Sequence, residues 1–149
     1  MINQLIMRDK TIDYVLRTTW LAVQKMYNEE ASKFEATMAT AFTLLSIDPK
    51  KGTPSTALGP KMGMESTSLS RILKTLEERK LIKRIPNPDD GRSVLIHLTQ
   101  LGLDKREDSR QRVFTFNNKI KNQIDSDKLN HFYDVSETIL GLISEKKIF

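Results

Sequence analysis

The chain has 149 residues, enough for one ordinary domain, and it carries 24 Lys and Arg against 19 Asp and Glu, a formal net charge of +5. It contains no cysteine, which excludes disulfides, thiolate metal sites and thiol-based redox sensing. Charges at Arg8, Lys10 and Asp13 interrupt the N-terminal segment, and no stretch approaches the roughly 18 apolar residues of a membrane helix. We therefore expect neither a signal peptide nor a membrane anchor, and a cytoplasmic protein.

Two helices are predicted in the first third of the chain. Apolar residues recur at helical spacing from about residue 5 to residue 33, with few helix breakers. A shorter helix is predicted to end before Pro49 and Gly52, which cannot continue a helix cheaply. This second helix covers residues 36–47, and its predicted apolar face is formed by Met38, Ala41, Phe42 and Leu45.

A short helix, a turn and a longer helix are predicted next. The hydroxyl groups and the proline of residues 53–56 are typical of a helix start, and the short helix reaches Met62. We expect it to be bent or partly 3₁₀, because Pro60 removes a backbone hydrogen bond, and Gly63 then turns the chain. The longer helix covers residues 66–79, and its apolar stripe is formed by Leu69, Ile72, Leu73 and Leu76.

Two strands follow, over residues 81–85 and 93–98, both rich in Ile, Val and Leu. The composition of residues 86–92 predicts the turn that joins them. In the second strand Val94, Ile96 and Leu98 are expected to face the core, with Leu95 and His97 facing outward.

Two long helices are predicted to complete the chain. The first begins after Gly102 and reaches about Gln123, and the last begins near Asp125, where Ser126 could cap it. The predicted fold class is mainly α with a small β-hairpin wing. A winged helix-turn-helix core over residues 35–102 is flanked by long helices in the N- and C-terminal segments, residues 1–34 and 103–149. The apolar stripe of the last helix is formed by Leu129, Phe132, Val135, Ile139, Leu142 and Ile143.

The polar face of the helix over residues 66–79 suits a DNA duplex. Small hydroxyl residues at its start allow close approach to base edges, and Arg71 can contact a guanine edge or a phosphate. Lys74 suits phosphate oxygens, as do residues of the preceding short helix. A solvated face without a ligand would show the same pattern. The candidate DNA-binding residues on these two helices are Ser55, Thr56, Lys61, Ser66, Thr67, Ser68, Ser70, Arg71 and Lys74.

The predicted turn between the strands favours the DNA interpretation. Arg92 stands at its tip, where a guanidinium can enter the minor groove. Asp90 can hold that guanidinium in one direction. A carboxylate here can also bond the backbone of the turn, and the two roles can coexist.

Other functions have less support in the sequence. His97 and His131 are the only histidines, they stand on different predicted elements, and no glycine-rich phosphate loop is present. We therefore expect no enzyme activity, no metal and no cofactor. The second interpretation is a winged-helix module that binds a protein instead of an operator, but the candidate face carries Arg71, Lys74 and Arg92 where exposed apolar residues would be expected.

The segment from Leu58 to Gly102 resembles the MarR family of winged-helix transcriptional regulators. The resemblance lies in Ser68-x-Ser70-Arg71, Leu76-Glu77, Leu81-Ile82-x-Arg84, Asp90-x-Arg92, Ile96-x-Leu98-Thr99 and Gly102, in this order. It implies a homodimer on a pseudo-palindromic operator, with the helix over residues 66–79 in the major groove and the wing in the minor groove. It also makes the N- and C-terminal helices, residues 1–34 and 103–149, dimerisation helices that interlock, so that each chain is a single intertwined domain. Such proteins are mostly repressors, often released by small anionic or aromatic ligands.

The terminal helices give a second reason to expect a dimer, independent of the family resemblance. The last helix is apolar over a wide stripe and continues to Ile148 and Phe149, which a second copy of the chain would cover. The resemblance places an effector pocket between the dimerisation helices and the DNA-binding lobe, where Trp20, Met38 and Phe42 are the candidates. Ordinary core packing is the alternative for each of the three.

Three residues depart from the family pattern. Lys80 stands where a glycine usually follows the recognition helix, and a left-handed lysine costs about 1 kcal/mol. Glu65 replaces the usual small capping residue, which predicts a weaker helix start. Pro60 is unusual in the preceding helix. These changes leave Arg71, Asp90 and Arg92 in place.

Overall fold

The computed structural model describes residues 11–149, and the part of the first predicted helix that precedes Thr11 lies outside them. The chain divides into two compact units, one up to Ser109 and the other Arg110–Phe149. No helix within residues 11–149 is both long and apolar enough to cross a lipid bilayer. In chain order the elements are α1 (Ile12–Ser32), α2 (Met38–Ser46), β1 (Thr53–Pro54), α3 (Ser55–Met62), α4 (Ser66–Glu78), β2 (Ile82–Pro86), β3 (Val94–Leu98), α5 (Gln100–Gln123) and α6 (Ser126–Ser144).

The three strands form one antiparallel sheet in the order β1-β3-β2. The predicted hairpin of β2 and β3 is confirmed. The predicted helix start within residues 53–56 is confirmed at Ser55, but Thr53 and Pro54 precede it as β1 and pair with β3. The Thr53 hydroxyl accepts a hydrogen bond from the backbone N–H of Asp48 at 2.9 Å, so it does not cap α3. That helix begins at Ser55, and no side chain caps it.

Pro60 is accommodated inside α3 without a change of helix type. The helix remains α-helical to Met62, so the 3₁₀ alternative is wrong, while the bend stays a prediction. The proline lies only two residues before the end of the helix, and its cost is confined to one missing N–H donor. Gly63 follows with a φ of 61°, which confirms the predicted turn.

The core lies where α4 packs against the sheet and against α2 and α3. Leu69, Leu73 and Leu76 are buried and Ile72 is half-buried, which confirms the predicted stripe of α4. Burial of one such leucine stabilises the fold by about 1.5–3 kcal/mol relative to exposure. The buried residues that surround this stripe are Leu44, Ile47, Leu58, Leu81, Ile82, Ile96 and Leu98.

The two faces of β3 differ less than predicted. Ile96 and Leu98 are buried and Val94 packs against the core, as expected. The residues predicted to face outward, Leu95 and His97, are only partly exposed. His97 is covered by the turn before β1, where a Cβ atom on Gly52 would lie 2.7 Å from the imidazole Nε2.

The predicted apolar face of α2 is half-buried, and other residues of the same helix are buried more deeply. These buried residues are Thr40, Thr43 and Leu44. The helix contacts α1 on one side and α3 and α4 on the other, so apolar side chains surround it and their spacing marks no single face. The hydroxyl of Thr43 donates to the Ala39 carbonyl at 2.7 Å, which allows its burial.

Within residues 11–149, four helices end in the same backbone motif. A left-handed residue follows the helix, and the N–H of the next residue donates to the carbonyl five positions before it. At the end of α4, Lys80 has a φ of 61°, and the N–H of Leu81 donates to the Leu76 carbonyl at 2.9 Å. The predicted left-handed lysine is thus confirmed. Glu35 ends α1 and Lys146 ends α6 in the same way, with φ of 56° and 54°, and of the four only α3 uses glycine.

The terminal helices begin differently from the prediction. The start of α5 is Gln100 rather than a residue after Gly102, because Thr99 caps the helix. Its hydroxyl accepts a hydrogen bond from the N–H of Gly102 at 3.0 Å and donates to the Lys80 carbonyl at 2.6 Å. For α6 the predicted cap is wrong, since Ser126 is itself helical and no side chain caps this helix.

Gly102 lies at a close approach between α5 and the start of β2. A methyl group on its Cα would overlap the backbone carbonyl oxygen of Leu81. That carbonyl also accepts a hydrogen bond from the N–H of Thr99 at 3.1 Å, so it cannot turn away freely. Only glycine therefore fits at position 102 without a shift of the backbone.

Lys80→Gly should raise the free energy of unfolding by about 1 kcal/mol, because glycine adopts a positive φ without the side-chain clash. Urea denaturation measures the change. Lys74→Gly places the same residue in the interior of α4 and should instead lower the free energy of unfolding by about 1 kcal/mol. A Lys80→Gly variant less stable than the parent would contradict the strain assigned to Lys80.

Gly102→Ala should lower the free energy of unfolding by about 1–3 kcal/mol, because the new methyl group meets backbone rather than a flexible side chain. The matched control is Gly141→Ala in α6, where nothing lies within 4 Å of the added atom. That variant should gain about 0.5–1 kcal/mol from helix propensity. Equal effects of the two changes in thermal denaturation would argue against the close approach.

Candidate nucleic-acid interface

The side of α4 opposite its buried stripe is exposed and polar. Thr67, Arg71 and Lys74 lie on it, and Ser66, Ser68 and Ser70 are exposed beside them. Within residues 11–149, neither the Arg71 guanidinium nor the Lys74 ammonium has a hydrogen-bond or ion-pair partner in the protein. Two cations are therefore presented on one helix face with their donors unused.

The N-terminal end of α4 has no side-chain cap. Glu65 occupies the N-cap position with extended backbone, and its carboxylate bonds none of the free N–H groups, as its departure from the family pattern predicts. These N–H groups carry the positive end of the helix dipole. The start of α4 thus offers open donors to an acceptor, with one carboxylate beside them.

Hydrogen bonds order the wing turn between β2 and β3. The N–H of Arg92 donates to the Asp90 carboxylate at 2.9 Å, and the N–H of Ser93 donates to the Asp90 carbonyl at 3.2 Å. Asn87 Nδ2 donates to the Ser93 hydroxyl at 3.0 Å. Of the two roles considered for Asp90, the carboxylate therefore performs the backbone one. The Arg92 side chain is exposed and, among the described residues, has no partner.

The candidate residues on α3 fall into two groups. Ser55 is half-buried and Thr56 is exposed at the start of the helix. Lys61 is exposed, but its ammonium donates to the backbone carbonyl of Ser46 at 2.7 Å. This contact holds the cation at the C-terminal end of α2, where the helix dipole favours positive charge. Lys61 therefore has a structural contact that its sequence position did not indicate.

The turn after α2 presents two further cations. The N–H groups of Lys50 and Lys51 both donate to the Asp48 carboxylate at 2.8 Å. These two hydrogen bonds are the main cause of the lowered pKa of Asp48. The lysine side chains stay exposed. Sequence reasoning used this turn only as the end of a helix, although two consecutive lysines were the available signal.

Two arginines close in sequence to the candidate DNA-binding residues bond to other groups of the protein. Arg84 of β2 pairs with Glu77 of α4 at 3.2 Å between Nε and the carboxylate. Both side chains are partly exposed, so the pair adds little stability. Arg79 donates from Nη1 to the Glu35 carbonyl at 2.6 Å, which joins the end of α4 to the end of α1. Sequence reasoning assigned neither contact.

The three effector candidates lie on α1 and α2. Trp20 is 52% exposed, and Met38 and Phe42 are half-buried. Phe42 packs edge-on against Tyr27, with ring centroids 5.4 Å apart. Burial raises the pKa of Tyr27. No group of side chains that could hold a metal ion occurs among the residues described.

Exposed apolar side chains are concentrated on the terminal helices. On α1 they include Ile12, Leu16 and Leu21 along with Trp20. On α6 two residues of the predicted stripe, Leu129 and Ile139, are half-buried, while Phe132 and Tyr133 contact each other at 5.8 Å between ring centroids. Large exposed apolar patches are typical of surfaces that bind a partner. The exposed apolar residues of α6 are Phe132, Tyr133, Val135, Leu140, Leu142 and Ile143.

Comparison with known proteins gives a consistent result. Residues 36–94 match the model of the MarR family. The HTH-type transcriptional regulator SarZ of Staphylococcus saprophyticus is 25% identical over 121 residues, which cover 81% of this chain and 80% of SarZ. The fold is that of MepR from S. aureus in a complex with DNA, with a TM-score of 0.80, 20% identity, and coverage of 88% of this chain and 97% of MepR. It is also that of the PcaV transcriptional regulator from Streptomyces coelicolor in complex with its natural ligand, with a TM-score of 0.74, 21% identity, and coverage of 87% and 92%.

Glu65→Ser should raise the free energy of unfolding by about 0.5–1 kcal/mol, because a serine hydroxyl can accept from the open N–H groups of α4. Glu65→Ala removes the same charge without supplying an acceptor and is the matched control. Chemical denaturation of both variants isolates the cap. If serine and alanine have equal stability, the start of α4 lacks a usable cap position.

Proposed function

Because the chain belongs to the MarR family of winged-helix transcriptional regulators, we propose that it binds a pseudo-palindromic operator as a homodimer and represses transcription. The observation that carries this proposal is the exposed face of α4, where Arg71 and Lys74 have no partner in the protein, beside the equally unpartnered Arg92 of the wing. Cations left without protein partners on an ordered surface suit an anionic ligand, and the phosphate backbone of DNA supplies one in a repeating array.

The recognition helix of this proposal is α4. Its width fits the major groove of B-form DNA, and the serines at its start allow close approach to base edges. Arg71, on the second turn, is the candidate for base recognition, and Lys74 one turn later suits a phosphate. The outward face of α4 offers no exposed apolar side chain, so a protein partner would find little to bury there.

The wing contributes Arg92. The hydrogen bonds of Asp90 fix the backbone of Arg92, while its guanidinium extends into solvent. A narrow minor groove concentrates negative potential and attracts a guanidinium of this kind. On this basis Asp90 acts by shaping the turn, and Arg92 makes the contact.

The homodimer rests on the exposed apolar surfaces of α1 and α6. A second copy of the chain would cover them and would supply the twofold symmetry of a pseudo-palindromic site. Two recognition helices related in this way lie about one helical turn of DNA apart.

A small aromatic or anionic effector is the remaining part of the proposal. PcaV, which has the same fold, was solved with its natural ligand. Trp20, Met38 and Phe42 supply exposed or half-buried apolar side chains on α1 and α2 that such a ligand could contact.

Arg92→Ala should weaken binding to the intergenic DNA upstream of the protein's own gene by roughly tenfold or more, which corresponds to about 1.4 kcal/mol. The reason is the loss of the minor-groove contact. Fluorescence anisotropy at two salt concentrations measures the affinity, and sedimentation gives the number of chains per duplex, expected to be two. Wild-type affinity should fall steeply with salt, because bound phosphates release counterions.

Lys128→Ala is the control for this experiment. It removes one positive charge from an exposed position on α6, away from α4 and the wing in sequence. Its affinity should stay within about twofold of wild type, since long-range charge effects are screened. Equal affinity of Arg92→Ala and wild type on a duplex that binds tightly would overturn the role of the wing. Binding that does not respond to salt would overturn the proposal as a whole.

A further inference from the structure

The C-terminal ends of α1 and α4 are joined by a single charge-assisted hydrogen bond. Arg79 Nη1 donates to the backbone carbonyl of Glu35 at 2.6 Å, across 44 positions of sequence. Arg79 is half-buried, unlike the neighbouring Lys80, and unlike Arg71 and Lys74 on the outward face. A short bond between a charged donor and a fixed acceptor is among the stronger hydrogen bonds in proteins.

Backbone hydrogen bonds hold both ends of this bond. Glu35 is left-handed, its N–H donates to the Ser32 carbonyl at 3.2 Å, and the N–H of Ala36 donates to the Ala31 carbonyl at 3.1 Å. These two bonds close the end of α1, and they aim the Glu35 carbonyl away from its own helix. The acceptor is therefore placed by the cap of α1 and not by a mobile loop.

The donor is placed in the same way. Arg79 is the last residue before the left-handed Lys80, and its own N–H donates to the Thr75 carbonyl at 3.0 Å. The Lys80 carbonyl in turn accepts from Thr99 at 2.6 Å, which anchors this corner to the start of α5. The guanidinium thus extends from a fixed corner of the winged-helix core to the end of α1.

We propose that Arg79 is a positioning residue that fixes the angle between α1 and the recognition helix α4, and thereby sets the spacing at which two recognition helices meet DNA. The inference rests on the proposed function, because α1 carries part of the apolar surface assigned to the dimer. The bond connects that surface to α4 directly. A dimer that lacks the Arg79 bond still has both recognition helices, but the distance between them is less well defined.

A direct phosphate contact by Arg79 is the competing explanation. Arg79 follows the last turn of α4, which is 13 residues long, and a helix of that length spans about 20 Å. Arg79 is therefore at the opposite end from the serines proposed to approach the bases. Its Nη1 is engaged by the Glu35 carbonyl, whereas Arg71 and Lys74 have free donors.

The test compares Arg79→Gln with Lys80→Gln. Both remove one positive charge at adjacent positions, and the Lys80 side chain has no partner among residues 11–149. The duplexes carry two copies of the half-site selected by the wild-type protein from a randomised 30-base-pair library, at the selected separation and with one base pair added or removed. Affinity is measured for each duplex at three salt concentrations, and sedimentation checks that each variant remains dimeric.

Wild type and Lys80→Gln should prefer the selected separation by roughly tenfold over the shifted ones, in keeping with the effect of a disturbed contact at each half-site. Arg79→Gln should bind the selected duplex roughly tenfold more weakly, because each of the two subunits loses its charged hydrogen bond. Its affinity for the shifted duplexes should change little, so little or nothing of the tenfold preference should remain. The salt dependence of its binding should stay that of wild type.

A second variant approaches the bond from the acceptor. Proline cannot adopt the positive φ of position 35, so Glu35→Pro displaces the carbonyl. Glu35→Gly keeps the positive φ and the position of the carbonyl. Glu35→Gly should bind like wild type. Glu35→Pro should lose the same preference for separation as Arg79→Gln, and the double variant should be no worse than either single one, because one interaction is lost once.

Three results would overturn the inference. If Arg79→Gln preferred the selected separation as strongly as wild type does, the bond would not set the angle between α1 and α4. A uniform loss over all duplexes, with a salt slope smaller by about 1.8, or about 0.9 for the one phosphate lost by each subunit, would show instead that Arg79 contacts a phosphate. Absence of any selected duplex for the wild type would overturn the proposed function and the inference together, and in this way the two failures are told apart.

Discussion

The burial of one side of α4 is the constraint on which the rest of the structure depends. Leu69, Leu73 and Leu76 pack into the core, and this packing turns Arg71 and Lys74 toward solvent. A helix rotated by a quarter turn would expose leucine and bury cations, at a cost of several kcal/mol for each unpaired charge. The apolar stripe therefore determines which residues are available to a ligand, before any property of the ligand is considered.

A second constraint is the corner at which α4 ends. The Lys80 and Leu81 carbonyls both accept from Thr99, and Gly102 lies against Leu81. The sharp turn at this corner depends on a left-handed residue, and the chain uses lysine there in spite of its backbone strain. Because β2 and the wing follow directly, this corner fixes the direction in which the wing leaves the core. The Arg79 bond connects the same corner to α1, so contacts at this corner orient α1, α5 and the wing.

The sequence was sufficient for elements with one buried face and insufficient for the others. Periodicity predicted α2, α4, β2 and β3, and for α4 it also indicated the buried side, whereas α2 buries Thr40 and Thr43 beside its half-buried apolar face. β1 has two residues, too few to show any period. The exposure of the site cations was predictable from the helical wheel, whereas the partners of Lys61 and Arg79 lie 15 and 44 positions away, where no local pattern indicates them. The roles of the site residues on DNA, and the division into dimerisation helices and DNA-binding lobe, remain predictions.

Methylation interference on a selected duplex tests the central claim most directly, because one reagent reports on both grooves. Methylation of guanine N7 obstructs the major groove, and methylation of adenine N3 obstructs the minor groove. If α4 and the wing bind as proposed, guanine interference should occur in two symmetric clusters about ten base pairs apart, each with adenine interference beside it. Interference by adenine N3 alone, or a single cluster without a symmetric counterpart, would contradict a dimer that places α4 in the major groove and Arg92 in the minor groove.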